Sequence, residues 1–231
     1  HGIGDYYFIL DPTLPKGNLY CIFSEEYKRY LGKKGESSQW VKPLPGIENF
    51  PVLAAQLLKR HAKTLAIDQL PVPEKPCVFV LLEAVDLYNV KSTFWAAYLD
   101  RIFAQLGDPS HYHYLLKPHP MQSEVSIVAT RALFEQLGYE FTLLNHPAIT
   151  SASAEILFSL WEKKTEHVFC LYSSGCFYLS KLYAKSNIRF WYSTSFMSKN
   201  ISNAPPVFYK GFITARPIID EVFTGNCTAY E

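Results

Sequence analysis

The sequence predicts an α/β fold, a Rossmann-like parallel sheet flanked by helices, on three observations. From Lys75 onward, apolar runs of strand length alternate with amphipathic runs of helix length, the signature of βαβ units. Serines stand where helices should begin and glycines where they should stop. One apolar, aromatic-rich run, His113–Leu116, breaks off in Lys117-Pro118-His119-Pro120, where prolines that cannot donate to a sheet ladder end the strand.

In order along the chain, residues 1–8 place Gly2 and Gly4 in a loop-like segment, since glycine permits positive φ and close approach to the backbone. Residues 11–50 read as an irregular connecting region with short strands such as Asn18–Phe23. Residues 51–65 read as a helix: Pro51 suits a first turn, and Leu53, Gln56/Leu57 and Arg60 follow at helical spacing. Pro71, Pro73 and Pro76 make a stiff linker, which sets a domain boundary between 1–74 and 75–200. Strands are then predicted over Cys77–Leu82, Tyr112–Leu116, Glu140–Leu144, His167–Tyr172 and Ile188–Tyr192. Helices are predicted over Ser92–Leu106, Ser123–Gln136, Ala152–Lys163 and Cys176–Lys185, with Ser92 and Ser123 as N-caps and Gly107 and Gly138 as stops. The tail, 201–231, carries an amphipathic turn over Ile218–Phe223 and is expected to pack back on the body.

Right-handed crossovers put five such strands in the order 3-2-1-4-5, with the first and fourth as neighbours at the switch point. The loops after strands one, two and four then share one crevice. That brings Glu83, Lys117/His119 and Ser173/Ser174 to one rim, the end of an open α/β sheet where ligands bind.

At 48% hydrophobic and 19% charged residues, the composition is that of a soluble globular chain. A net charge of +1 provides no global field for nucleic acid or an anionic membrane, so an anionic ligand must be held by local groups. The five cysteines (Cys21, Cys77, Cys170, Cys176, Cys227) form no CxxC pair, and an odd count without metal spacing favours a reducing, cytoplasmic compartment. No signal peptide and no apolar run near membrane-spanning length is present. No D-x-D and no His/Cys/carboxylate cluster suggests a metal, and the G-x-G-x-x-G fingerprint is missing. The start at His1 rather than Met predicts that further sequence precedes it.

After the fourth strand, Ser173-Ser174-Gly175 leads into a helix, and two hydroxyls with the free amides of a helix N-terminus suit a phosphate. Lys117 and His119 stand opposite, where a bland strand-ending turn would also account for them. Glu155 falls in the first turn of a helix, where the dipole alone favours a carboxylate, yet it lies where nucleotide-binding domains place a ribose acceptor. Glu83, ending strand one at the crevice, is a weaker nucleotide-binding candidate. His146-Pro147 repeats the dipeptide without the lysine and is read as a turn. His111 and His113 are read as surface or packing residues.

Lys117-Pro118-His119-Pro120, then Glu155, then Ser173-Ser174 resembles, in order and spacing over roughly residues 75–195, the signature of bacterial GT-B sialyltransferases and polysialyltransferases. The resemblance implies the C-terminal, donor-binding half of a GT-B glycosyltransferase, with residues 1–74 ending an N-terminal acceptor domain. It implies an inverting enzyme of capsule or surface polysaccharide biosynthesis that takes CMP-sialic acid as donor and a glycan as acceptor. No cofactor and no metal are implied, and peripheral association with the inner membrane would fit. His119 would serve the departing phosphate as general acid, in its imidazolium form. Lys117, Pro120, Glu155, Ser173, Ser174 and Gly175 would hold the nucleotide. His1-Gly2-Ile3-Gly4-Asp5 is similar to these families' base segment, so His1 and Gly2 would be its remnant and the catalytic carboxylate would precede His1; Asp5 is a weaker substitute. Two alternatives stay open: another donor such as CMP-Kdo, or a nucleotide-binding or interaction module without activity.

Overall fold

The computed structural model describes residues 17–230, apart from Ala66, Asp68, Gln69 and Pro71. The first part forms a small layer. Strand β1 (Leu19–Cys21) leads into helix α1 (Ser24–Lys33) and then into strand β2 (Val41–Pro43), which pairs with β1 in parallel, Leu19 opposite Val41. Helix α2 (Phe50–His61) carries Pro51 in its first turn as expected, but it buries Ala54 and Leu58 and leaves Leu53 and Leu57 exposed. The inward stripe is thus one residue out of phase with the expected one.

The chain then winds a six-stranded, all-parallel sheet. It comprises β3 (Cys77–Leu81), helix α3 (Phe94–Ala104), β4 (His113–Lys117), helix α4 (Glu124–Leu137), β5 (Phe141–Leu143), short helices α5 (Pro147–Ser151) and α6 (Ala154–Phe158), and β6 (Thr165–Cys170). Helix α7 (Ser174–Leu182), β7 (Arg189–Tyr192), helix α8 (Thr194–Asn200), helix α9 (Pro206–Ile218) and β8 (Thr228–Ala229) complete it. The strand order is β5-β4-β3-β6-β7-β8, so β3 lies between β4 and β6 at the point where the winding reverses. This is a Rossmann-like α/β fold, and its five expected strands form within two residues of their expected bounds.

Three expectations are corrected. A sixth strand, β8, adds to the edge of β7, with Trp191 opposite Thr228; at two residues it carries no periodic signal. The helix expected over Ala152–Lys163 is one short helix, α6, and a 3₁₀ turn at Glu162–Lys164; Ala152 is extended, which ends the preceding α5, and Ser153 caps the new start. The N-cap of α3 is Thr93 rather than Ser92, and it makes no side-chain capping bond. In the tail, α9 runs into a π-helical turn over Ile219–Phe223. Pro217 lacks an N–H and crowds the carbonyl one turn back, which favours the wider turn.

Alternation along the strands splits the interior into two layers. Phe79, Leu81, Leu115, Val168 and Cys170 face α6, α7 and the small N-terminal layer. Val78, Val80, Tyr114, Leu116 and Phe169 face α3, α8 and α9. Lys33–Glu221 and Lys181–Glu26 ion pairs tie α1 to the tail and to α7. No helix among the described residues is long and apolar enough to cross a membrane.

Candidate functional site

The carboxyl ends of β3, β4 and β6 open on a cleft of about 210 Å³. Its walls are Lys117–Pro120 after β4, Ser151–Glu155 between α5 and α6, and Ser173–Gly175 at the start of α7, over a floor of Leu81 and Leu82. Lys117, His119, Pro120, Glu155, Ser173, Ser174 and Gly175 therefore meet at one site, although up to 58 residues separate them in sequence.

Lys117 ends β4 opposite Leu81 and is 5% exposed. Its ammonium donates to the Thr150 carbonyl at 2.7 Å and to that of Pro118 at 3.1 Å, leaving one N–H for a ligand. Burial pushes its pKa down to about 8, against the pull of the Glu155 carboxylate. At neutral pH it is still largely a cation, and a bound anion would favour that form further.

His119 stands half-buried between its two prolines. The Met121 amide donates to Nδ1 at 3.1 Å, so the neutral ring carries its hydrogen on Nε2. Burial, and then the Lys117 charge, hold its pKa below the ordinary histidine value. The resting side chain is thus neutral at pH 7, in contrast to the expected imidazolium. It remains a hydrogen-bond donor through Nε2, and a phosphate beside it would draw a proton on.

Ser173 occupies the N-cap of α7 with φ −66° and ψ 130°, yet its hydroxyl makes no capping bond. Ser123 and Ser153 do cap, accepting from the Ser126 and Ile156 amides. The first amides of α7, those of Ser174, Gly175 and Cys176, have no intrahelical acceptor and are not claimed by the cap side chain. At Gly175 a Cβ would meet Leu81 Cδ1 and Ala154 Cβ at 3.4 Å, so glycine lets the helix start close on β3 and α6. The result is an open, nine-residue helix N-terminus with two hydroxyls beside it, facing a lysine and a histidine.

Glu155 lies in the first turn of α6 and borders both the cleft and an adjoining apolar recess that contains Tyr20, Phe50 and Tyr178. It is the one carboxylate among the cleft's lining residues.

Glu83 is not brought to the cleft. The chain turns directly after β3, with the Val85 amide donating to the Glu83 carbonyl at 2.8 Å, and the carboxyl is 5% exposed. It accepts from the Tyr172 amide at 3.4 Å, next to the Tyr172–Tyr88 hydroxyl pair. Burial pushes its pKa up to about 7, against that hydrogen bond. His1, Gly2 and Asp5 lie outside the described residues. His146 and Pro147 open α5 at the N-cap and first turn, and His113 packs against Thr142 at 2.8 Å.

Thr150 and Met121 contribute to the site through a backbone carbonyl and a backbone amide, which leave no side-chain signal in a sequence. Ser151 and Ser153 also line it, and the run of hydroxyl residues between the histidine and Glu155 is the sequence signal that could have found them. No protein-family model, curated protein or solved structure matches this chain.

Proposed function

We propose that the cleft binds the CMP moiety of CMP-sialic acid and that the chain serves an inverting transfer of sialic acid to a glycan acceptor. One observation carries this: Lys117, His119 and Ser173/Ser174 converge at an uncapped helix N-terminus, with Glu155 at the other wall. In the transfer, the bond between the anomeric carbon and the phosphate oxygen breaks and its electron pair goes to the phosphate. Lys117, the α7 amides and the serine hydroxyls share that charge, and His119 donates from Nε2 to the leaving oxygen. Glu155 accepts from the ribose hydroxyls. The acceptor attacks from the opposite face, and the base that takes its proton comes from outside the cleft.

The single carboxylate also favours a second reading, a nucleotide-binding module without transfer activity. The same groups would accept CMP-Kdo, since none of them addresses the sugar.

The test is calorimetric titration of the chain with CMP, with UMP as control, repeated on His119→Ala. We expect selective CMP binding and a loss of about tenfold or more in the variant, the worth of one hydrogen bond to a charged group. Equal binding of CMP and UMP, or none, would overturn the cytidine assignment. A transfer assay with CMP-sialic acid and CMP-Kdo in competition then separates enzyme from binding module.

A further inference from the structure

Beside the cleft lies a second cavity of different chemistry. A recess of about 310 Å³ opens between the N-terminal layer and α7 and meets the cleft across Ser153 and Glu155, which line both. Its aromatic rings are those of Tyr20 in β1, Phe50 at the start of α2 and Tyr178 in α7, and Leu44 and Ile156 add aliphatic wall. The surrounding fold holds these groups in place. The Leu44 amide donates to the Cys21 carbonyl at 3.1 Å, which keeps the segment after β2 against β1. Helix α2 packs on α6, and Tyr178 stacks on Phe23 with ring centroids 5.8 Å apart. Even so, Tyr20 is 56% exposed and Leu44 39%, so apolar surface stands open to water at this place.

Charge and order say what fills it. Glu155 is the one charged residue among those lining the recess, and no Lys, Arg or His is there to meet an anion. That suits neither the carboxylate of sialic acid nor a second phosphate. A flat, neutral, aromatic group suits three rings. In a nucleotide with its phosphate at the start of α7 and its ribose at Glu155, the base is the part that comes next beyond Glu155. Ser153 adds a polar contact at the same border: its hydroxyl accepts from the Ile156 amide at 3.4 Å and keeps its own proton for a ring acceptor.

We propose that this recess is the base pocket of the donor site, where the pyrimidine ring stacks among Tyr20, Phe50 and Tyr178 and accepts from Ser153. The assignment rests on the reading of the cleft given above. It also changes the role of the N-terminal layer. Residues 19–50, which the resemblance would give to the end of an acceptor domain, complete the donor site instead.

The experiment titrates the folded chain calorimetrically with CMP and with ribose 5-phosphate, which keeps the phosphate and the sugar and lacks the ring. The parent, Tyr20→Ala and His119→Ala are compared; Tyr20 is largely exposed, so cutting it back opens no core cavity. CMP should bind the parent about fivefold or more tighter than ribose 5-phosphate, the worth of one stacked base. Tyr20→Ala should weaken CMP by about that factor and leave ribose 5-phosphate unchanged, whereas His119→Ala should weaken both. Independently, 5-iodo-CMP irradiated on the chain should crosslink to a peptide that holds Tyr20, Phe50 or Tyr178. CMP no tighter than ribose 5-phosphate on the parent overturns the pocket and leaves the cleft reading standing. So does an equal effect of Tyr20→Ala on both ligands, zero included, or a crosslink confined to residues 117–121 and 173–176. Binding of neither ligand to the parent overturns the cleft reading, and the pocket falls with it.

Discussion

At the level of single residues, burial decides which side chains are chemically available. Glu83 and Glu155 look alike in sequence, each a carboxylate near the carboxyl end of a strand or the start of a helix. The fold sends them to different fates, one half-buried at the cleft wall and one sealed against Tyr172. With its pKa pushed up to about 7, Glu83 holds a proton in the folded state that the unfolded chain releases near the ordinary carboxylate value of 4.5. Between those two values the folded state binds more protons, so stability declines as pH rises through the window and stays lower above it. Glu83→Gln removes the titration. The variant should match the parent near about pH 4 and exceed it by on the order of 2–3 kcal/mol at about pH 8, read by thermal or denaturant unfolding at both pH values. An equal offset at the two would show that the carboxyl does not titrate in this window. Lys117 follows the same logic with opposite charge: a lysine buried against two carbonyls keeps one donor for a ligand and loses the freedom of a surface lysine.

Among the elements, the two kinds of serine at helix starts separate structure from site. Ser123 closes α4, accepting from the Ser126 amide at 3.2 Å while it donates to Asp86 at 2.9 Å. Ser173 leaves α7 open. Ser123→Ala should therefore cost about 1 kcal/mol of stability and leave CMP affinity unchanged. Ser173→Ala should keep stability within about 0.5 kcal/mol and weaken CMP binding by about tenfold or more. Denaturant midpoints and titrations of the two variants give four numbers; if Ser173→Ala proves as destabilising as Ser123→Ala, its hydroxyl is a cap and not a ligand group. The expected phase of α2 failed for a related reason. Its sequence has apolar residues on more than one face, and only the packing partner selects Ala54 and Leu58 over Leu53 and Leu57.

Across the whole molecule, the tail closes the sheet. Tyr230, following β8, is 3% exposed; its hydroxyl donates to the Cys170 carbonyl at 3.2 Å, and its own carbonyl accepts from Ser193 at 2.7 Å. Tyr230→Ala should cost about 3–5 kcal/mol, the range for removing a large buried aromatic side chain, as read from equilibrium unfolding. A loss below about 1 kcal/mol would mean that the edge strand adds little to the body. The α/β class, the five principal strands and the order of the cleft residues can all be read along the chain, because strand runs, prolines after Lys117 and serines before a helix are local signals with short-range causes. The gathering of Lys117, His119 and Ser173/Ser174 at one rim is legible as well, since right-handed crossovers dictate which loops adjoin, but the same argument places Glu83 there, and the cleft has Glu155 instead. Folding in three dimensions had to settle the sixth strand, the burial of Glu83, the His119 tautomer and the open end of α7. Each of these depends on what lies across the fold from a residue, a backbone amide, a neighbouring ring or an adjoining strand, none of which is written in the sequence beside it.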